Sequence, residues 1–282
     1  MKISIPKLMI YIGLILLSIT ALIPFALMIV NSTRGNMDIL KSFNLIPGDQ
    51  LKTNYNIMME NMNISDGIFK GIWVGFKNSI IIAVSVTVLS SYFSALTAYG
   101  FHIYNFKGKK ILFMFILVMM MVPGQLGLLG FYELNKVLKT LNTYVPLIVP
   151  AIATPFTVFF LRQYLKSTLH KSLIEAARID GAKEIEIFHK IVLPMMMPGI
   201  ATMAIFTFIG AWNNYLVPLV IIFSPEKYPL PVLMGYLKGG KVYENLGAMY
   251  TAISISVVPI MIAFAFLSKY IVSNISSGSV KE

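Results

Sequence analysis

Six long stretches without a charged residue constrain the fold of this chain more than any other feature of its sequence. They cover roughly residues 8–30, 78–100, 111–132, 144–161, 195–223 and 245–268. A helix that crosses the hydrocarbon core of a bilayer needs about 20 apolar residues. A helix also satisfies its own backbone polar groups, which lipid requires. The sequence therefore predicts an all-α, polytopic membrane protein with six transmembrane helices.

The overall composition agrees with a place in the lipid bilayer. Of the 282 residues, 57% are hydrophobic and 12% are charged, which is more apolar surface than a soluble domain of this length buries. The net charge of +11 does not indicate nucleic-acid binding, because the basic residues are spread over the loops and form no aromatic-interleaved stripe. Anionic lipid headgroups explain the charge better. The absence of cysteine excludes disulfides and thiol catalysis.

The distribution of Lys and Arg predicts the orientation. Six spans place both termini on the same side of the membrane. With the N-terminus inside, the inner segments carry 13 of the 23 Lys and Arg residues, and the longer outer segments carry 10. Basic loops favour the cytoplasmic side, so we expect both termini in the cytoplasm. The first stretch is longer than a signal-peptide core and indicates an uncleaved anchor.

The first outer segment, residues 31–77, mixes polar and charged residues and predicts an irregular external loop with one short helix. We therefore divide the chain into an anchor helix with its external loop, residues 1–77, and a core of five spans, residues 78–282. The external loop is either a plain linker or a contact for a partner outside the membrane.

The only densely charged run lies within residues 162–194, between the fourth and fifth stretches. Ser172 and Glu175 have the spacing of a capping box, which predicts a short helix from about Leu173. Gly181 stands where a helix end favours a residue in the left-handed region. The run therefore predicts a helix followed by a designed turn.

A second helix is expected from Lys183 to the proline at 194, where a helix stops. The pair Glu186 and Lys190 would support it. Its apolar face would consist of Ile185, Phe188 and either Ile191 or Val192. Composition alone favours a simpler alternative, in which the whole run is a solvated connector between two spans.

The sequence carries no pattern for chemistry of its own. Gly108-Lys109-Lys110 lacks the upstream glycine and the hydroxyl of a phosphate-binding P-loop. The three histidines have neither metal-ligand nor triad spacing, so we expect no catalytic residue, no metal and no bound cofactor. The six stretches hold no Asp, Glu, Lys, Arg or His, which disfavours a proton- or ion-driven carrier. Energy for any transport must then come from another chain, and a path would suit a neutral polar solute.

Two sets of polar residues stand in the apolar stretches. Asn78-Ser79 opens the second stretch, which is rich in Ser and Thr; such residues suit close helix packing, and they equally suit a polar path. Trp212-Asn213-Asn214 lies deep in the fifth stretch, where amides without partners are costly. We expect these amides to face protein or a cavity.

The charged run resembles the EAA loop of permease subunits in binding-protein-dependent ABC importers. The motif positions are met by Glu175, Ala176, Ala177, Gly181, Ile191, Leu193 and Pro194, and Asp180 stands beside the glycine. The resemblance implies a type I ABC importer permease fold. It also implies that residues 162–194 form a cytoplasmic coupling loop, whose helix sits in a cleft on the ATPase subunit. Glu175 would meet a basic residue there, and the two alanines would seat in the cleft.

Other stretches are similar to the carbohydrate-uptake branch of this family, the maltose-type second permease subunit. They are Asn78-Ser79, Ala98-Tyr-Gly-Phe101, Met121-Val-Pro-Gly-Gln125, Leu141-Asn-Thr-Tyr144, Phe159-Phe-Leu-Arg-Gln163, Trp212-Asn-Asn-Tyr215 and Gly278-Ser-Val-Lys281. Lys183 and Asn214 depart from the family, where Ser and Asp are common. The departure at Asn214 leaves a shared solute contact open.

The resemblance implies a set of partners and two further sites. The partners are a second permease subunit, two ATPase subunits that hold ATP and Mg, an external solute-binding protein, and a sugar. The candidate path residues are Asn78, Ser79, Gln125, Trp212, Asn213 and Asn214. The outer loop from Ser224 to Glu244 matches in position the loop that reaches into the binding protein; its candidate contacts are Pro229, Pro231, Gly239 and Gly240.

The sequence thus predicts a permease subunit in the cytoplasmic membrane that moves a sugar inward by alternating access. A permease for another polar solute, such as glycerol phosphate, is an alternative. A stand-alone carrier would need internal repeats and a coupling-ion site, and neither is visible. A membrane scaffold would explain the helices but not the motif.

Overall fold

The computed structural model describes residues 5–61, 71–237 and 245–278, and all regular structure in these ranges is helical. The helices are α1 (Ile5–Ser32), α2 (Asn36–Lys41), α3 (Leu51–Asn61), α4 (Ile72–Ile103), α5 (Lys109–Met121), α6 (Leu128–Val137), α7 (Val145–Ile148), α8 (Pro155–Thr168), α9 (Lys171–Ile179), α10 (Glu184–Ile187), α11 (Leu193–Trp212), α12 (Leu216–Ile221), α13 (Leu230–Leu237) and α14 (Leu246–Gly278). Short 3-10 turns cover Gly124–Gly127, Val149–Ala151 and Pro225–Lys227, and Phe188–Val192 is π-helical.

Five helical segments of the described chain are long and apolar enough to cross a membrane. They are Pro6–Ser32, Ile72–Ile103, Val145–Thr168, Glu184–Trp212 and Leu246–Lys269. A sixth span is present if Lys109–Met121 and Gly124–Val137 cross together as one broken span. The all-α, polytopic prediction is confirmed, and the count of six includes this broken pair.

The third predicted stretch is bent by 92° at its break. Helix α5 ends at Met121, Val122 is extended with φ −82° and ψ 119°, and Pro123 follows. A proline disfavours helical backbone at the residue before it and has no N–H to donate. The sequence therefore dictates the break, although it does not dictate the angle.

The fifth predicted stretch, residues 195–223, is not one helix. Helix α11 ends at Trp212, and α12 begins only at Leu216. Asn213 occupies the C-cap position of α11, and Asn214 follows it. Asparagine amides compete with the backbone for hydrogen bonds and favour helix ends over helix interiors.

Contacts between Cα atoms divide the chain into two compact units. The first unit comprises Met1–Phe76 and Val232–Val258. In it, the buried Arg34 donates to the carbonyl oxygens of Asp38 (2.7 Å) and Ser42 (3.3 Å). The Asn54 amide donates to the carbonyl oxygens of Ser32 (2.8 Å) and Arg34 (2.9 Å). The segment predicted as an irregular loop with one short helix thus contains both α2 and α3, held by buried polar contacts.

The second unit comprises Lys77–Pro231 and Pro259–Glu282. Its apolar core joins side chains from the long helices α4, α8 and α11 with side chains from α9 and α10. Fully or almost fully buried members are Ala95, Tyr99, Leu161, Leu165, Ile174, Ile187, Phe188, Val192 and Met196. The charged run is therefore anchored on the span helices through its own apolar side chains.

Candidate functional site

Helix α9 begins at Lys171, and His170 is its N-cap residue without a side-chain cap. The predicted capping box between Ser172 and Glu175 is wrong, because Ser172 already lies inside the helix. The neighbouring Leu169 is extended and buried, which fixes the chain before it turns at His170. The helix therefore starts two residues earlier than predicted.

The predicted turn at Gly181 is present. Gly181 has φ +83°, its N–H donates to the Arg178 carbonyl oxygen (3.0 Å), and the Ala182 N–H donates to the Ala177 carbonyl oxygen (3.0 Å). This pair of hydrogen bonds with a left-handed glycine is the Schellman motif of a helix C-terminus. The turn fixes the direction in which the chain leaves α9.

Helix α9 has one inner and one outer face. Ile174 and Ala177 are buried in the core of the second unit. Glu175 and Ala176 are exposed, and Ile179 is 86% exposed. Of the two motif alanines, only Ala176 is accessible to a partner. Sequence reasoning missed Ile179, although it follows Glu175 by four residues and so shares its face.

The second helix of the run begins at Glu184, one residue after the predicted start, with Lys183 as its N-cap, and it does not stop at Pro194. The chain continues from α10 through the π-helical segment into α11. The Leu193 N–H donates to the Phe188 carbonyl oxygen, five residues back. Pro194 has no N–H, and its ring would clash with the carbonyl four residues earlier in an α-helix. The wider π turn just before it accommodates this ring.

The buried face of this second helix also differs from the prediction. Ile187, Phe188 and Val192 are buried, whereas Ile185 is 59% exposed. The predicted ion pair is present, with Lys190 Nζ 3.5 Å from Glu186 Oε1. Motif positions Ile191 and Leu193 are half-buried against the core.

Glu184 gathers a cluster of polar side chains that sequence reasoning missed. Arg178 Nε lies 2.6 Å from Glu184 Oε1, and the hydroxyls of Tyr104 and Tyr99 both donate to Glu184 Oε2. Burial, together with the hydrogen bond to Glu184, raises the pKa of Tyr104 above its usual range, so its hydroxyl stays a donor. The hydrogen bond to Glu184 raises the pKa of Arg178. No local sequence pattern points to this cluster, because its tyrosines lie about 80 residues upstream.

A cavity of about 320 Å³ lies within the second unit. Its polar lining consists of Ser79, Thr154, Thr157, Thr207 and Asn214, set among apolar side chains. The Thr154 and Thr157 hydroxyls are 2.7 Å apart. A neighbouring cavity of about 420 Å³ shares Leu147, Ala151, Thr154 and Asn214 with it. Neither of these two lined cavities has an ionisable residue in its described wall.

The structure separates the candidate path residues. Ser79 and Asn214 line the cavity, whereas Gln125 and Asn213 are exposed elsewhere. Trp212 is buried and stacked on Phe208. The path itself stays a prediction, now centred on Ser79, Asn214 and the three threonines.

Asn78 has a different environment from its neighbour in sequence. Its amide donates to the carbonyl oxygens of Glu226 (2.9 Å) and Tyr228 (3.0 Å). Ser79 Oγ also accepts a hydrogen bond from the Leu230 N–H (2.8 Å). The start of α4 therefore holds the beginning of the predicted outer loop.

Asn142 holds the same loop on the N-terminal side of the 3-10 turn Pro225–Lys227. Asn142 has φ +59°, and its Oδ1 accepts hydrogen bonds from the N–H groups of Phe223 (3.1 Å) and Ser224 (3.0 Å). Its Nδ2 donates to Ser224 Oγ (2.7 Å). Of the candidate contact residues, Pro229 lines the cavity and Pro231 lies in α13. Gly239 and Gly240 fall outside the described residues.

Among residues 5–61, 71–237 and 245–278, no group of three or more His, Asp or Glu side chains is arranged to hold a metal ion. The site therefore consists of an exposed helix face on a rigid base and a neutral polar cavity. The first arrangement can bind a protein, and the second can bind an uncharged polar solute.

Comparison with known proteins gives consistent matches over most of the chain. Residues 67–277 match the family model described as "Binding-protein-dependent transport system inner membrane component". The chain is 32% identical to the arabinooligosaccharides transport system permease protein AraQ of Bacillus subtilis, over 94% of this chain and 92% of that protein. It is 32% identical to the trehalose/maltose transport system permease protein MalG of Thermococcus litoralis, over 98% and 97%.

The fold is also known from a solved structure. The chain is similar to a chain of a bacterial ABC transporter involved in the import of the acidic polysaccharide alginate, with a TM-score of 0.77 and 22% identity. The match covers 96% of this chain and 99% of that one. The predicted ABC importer permease fold is confirmed by this likeness.

Proposed function

Since the chain belongs to the family of binding-protein-dependent transport system inner membrane components, we propose that it is the permease subunit of an ATP-driven importer that moves a neutral sugar inward. It is an integral membrane protein and a transport subunit, not an enzyme. Beyond the family itself, we propose the solute, the individual partner proteins and the orientation of the chain in the membrane.

The observation that carries the coupling role is the two-faced α9. Ile174 and Ala177 fix its inner face in the core, and the Schellman turn at Gly181 fixes its end. Its outer face presents Glu175 and Ala176 beside an isoleucine at 179 that is 86% exposed. Ile179, on the face opposite the buried Ile174 and Ala177, is the apolar contact that we propose for a partner. The partner we propose there is an ATPase subunit, which would hold ATP and Mg.

The cavity supports a neutral sugar over a charged solute. Its hydroxyls and one amide match the donors and acceptors of a polyhydroxylated solute, and its apolar wall suits the carbon face of a sugar ring. A phosphate would need a cationic partner, and none stands in the described wall. AraQ and MalG, the relatives compared above, carry names of oligosaccharide and disaccharide transport systems. The lack of a cationic side chain in the described wall is what supports a sugar over glycerol phosphate.

The remaining partners and the orientation are inferred from the family and from the charge distribution. We propose a second permease subunit as the partner in the membrane and a solute-binding protein outside. The loop that begins at Ser224 is held by Asn78 and Asn142 and is suited to receive the binding protein. The basic segments favour a cytoplasmic position for the EAA loop and both termini, with the chain in the cytoplasmic membrane.

The test is to purify the chain from its own membranes through a C-terminal tag and to identify the proteins that accompany it. We expect an ATPase, a second permease and a solute-binding protein. The Ile179→Asp variant should lose the ATPase, because a carboxylate would replace the exposed apolar contact. Val137→Asp is the matched control, since Val137 is 77% exposed at the end of α6, outside the EAA loop.

Each contrary result has a specific meaning. Recovery of the chain without any ATPase would contradict the coupling role. Solute uptake by the reconstituted chain alone would favour a stand-alone carrier. An ATPase partner whose activity does not respond to any solute would favour a scaffold. Uptake of glycerol phosphate instead of a sugar would overturn only the choice of solute.

A further inference from the structure

Glu184 connects two elements that are far apart in sequence. Its Oε1 accepts from Arg178 Nε in the last turn of α9 (2.6 Å). Its Oε2 accepts from the hydroxyls of Tyr104, just after α4, and Tyr99, within α4 (3.4 Å for Tyr99). One carboxylate is thus shared between the helix proposed to meet the ATPase and the end of a membrane span.

Aromatic rings at the end of α4 also pack against the EAA loop. Tyr99 is 3% exposed, and its ring centroid lies 5.6 Å from that of Phe188 and 5.9 Å from that of Tyr104. Earlier in α4, the Tyr92 hydroxyl lies 3.1 Å from His189 Nε2. Helix α4 therefore contacts the EAA loop along about three turns, and the carboxylate of Glu184 lies at the end nearest α9.

We propose that Glu184 is a positioning residue that makes the end of α4 follow the movements of α9. The inference rests on the coupling role proposed for α9. The backbone alone leads from α9 through residues 180–183 to α10 and then to α11. The apolar core also joins α4 to the EAA loop. The Glu184 side chain adds a polar link from α9 to α4, and α4 carries Ser79 at the wall of the cavity.

This role differs from a purely structural one. The side chains of Arg178 and Glu184 are 38% and 48% exposed, and exposed ion pairs contribute little to folding stability. Loss of the Glu184 charge should therefore leave the fold and the ATPase contact intact. The substitution removes only the shared hydrogen-bonded carboxylate between α9 and α4. A contact that only stabilised the fold would not change the number of solute molecules moved per ATP hydrolysed. This ratio therefore reports the link between α9 and α4.

The experiment compares reconstituted whole complexes that carry single substitutions in this chain. Glu184→Gln keeps the size of the side chain and removes its charge, and we expect a several-fold fall in maltose or arabinooligosaccharide uptake per ATP hydrolysed. Glu184→Asp keeps the charge and should recover part of that ratio. Glu186→Gln is the matched control, because Glu186 lies in the same helix and pairs only with Lys190 and the Lys183 N–H in the described contacts. Its ratio should equal that of the wild type.

A second variant tests the receiving helix. The double change Tyr99→Phe and Tyr104→Phe keeps both rings and the Arg178–Glu184 pair, and it should lower the ratio as Glu184→Gln does. An unchanged ratio in Glu184→Gln, with normal wild-type uptake, would overturn this inference alone. Loss of the ATPase subunit from the Glu184→Gln complex would overturn it too, because Glu184 would then be an assembly contact. Absence of ATP-driven uptake in the wild type would overturn the proposed function and this inference with it.

Discussion

Gly199 lies against the ring of Tyr164, so close that a Cβ on Gly199 would stand 2.9 Å from Tyr164 Cγ. Helices α8 and α11 therefore approach each other at a point where only glycine fits. We expect Gly199→Ala to force the helices apart and to lower the free energy of unfolding by about 1–3 kcal/mol. Thermal unfolding of the detergent-purified protein measures this change.

The matched control for this prediction is Gly210→Ala in the same helix. A Cβ at Gly210 meets nothing within 4 Å, so the variant should unfold at or above the wild-type temperature. Equal melting temperatures for the Gly199 and Gly210 variants would contradict the close approach of α8 and α11.

The turn after α9 requires a left-handed residue, whereas its surroundings leave space for a side chain. Gly181 has φ +83°, and a Cβ there meets nothing within 4 Å. Gly181→Ala should therefore cost only backbone strain, roughly 1–2 kcal/mol, and should misdirect α9. We expect ATP-driven uptake in proteoliposomes to fall several-fold, while Gly181→Asn, which tolerates this backbone, should retain most of it.

Gly108 offers the control, because it has the same φ of +83° and an equally open environment. Gly108→Ala should carry the same strain outside the EAA loop and leave uptake near the wild-type rate. If both alanine variants lose uptake equally, the loss reports general destabilisation and not the direction of α9.

Local patterns predicted much of this molecule. The helix end at Gly181 was predictable because its hydrogen bonds span only five residues. The apolar stretches predicted the spans, since lipid leaves a chain few alternatives to helices. The break before Pro123 was not predicted, although the proline itself accounts for it.

Two features escaped prediction for physical reasons. Pro194 suggested a helix end, but Val192 and Met196 on either side are fully buried, so packing keeps the helix continuous and the π segment accommodates the ring. The residues that join Glu184 to α4 lie about 80 positions from it, and the cavity combines Thr154 and Thr157 at the start of α8 with Thr207 of α11. Such non-local arrangements leave no period or spacing in a single sequence.

Thr207 tests the proposed solute cavity. It lines the cavity from α11, and Thr207→Val keeps its shape while removing its hydroxyl. We expect a several-fold higher KM for sugar uptake with little change in stability. Thr202→Val is the control in the same helix, because the Thr202 hydroxyl bonds to the Pro198 carbonyl oxygen and lies outside the lining. A rise in KM for Thr202→Val alone would place the solute elsewhere.

Asn142 tests the loop proposed to receive the binding protein. Asn142→Gly tolerates the positive φ but removes the three side-chain hydrogen bonds to Phe223 and Ser224. We expect uptake to need a several-fold higher concentration of binding protein for half its maximal rate, because the loop must be ordered on binding. The basal stability of the membrane domain should change little.

Asn142→Ala is the companion variant, and it should be the more severe of the two, since it adds backbone strain to the same loss of hydrogen bonds. An unchanged requirement for binding protein in both variants would remove this loop from the docking surface.

The π-helical segment Phe188–Val192 has a geometric meaning beyond relieving one proline. One extra residue in a helix rotates the residues before it by about 100° around the axis, relative to the residues after it. Deletion of a single residue between Ile187 and Leu193 would therefore rotate the outer face of α9 by a quarter-turn or more around α11, with Glu175, Ala176 and Ala177 still present. The direction in which α9 presents its proposed ATPase contact is thus set by the number of residues in this segment, and a relative with a one-residue gap there would need a differently placed partner.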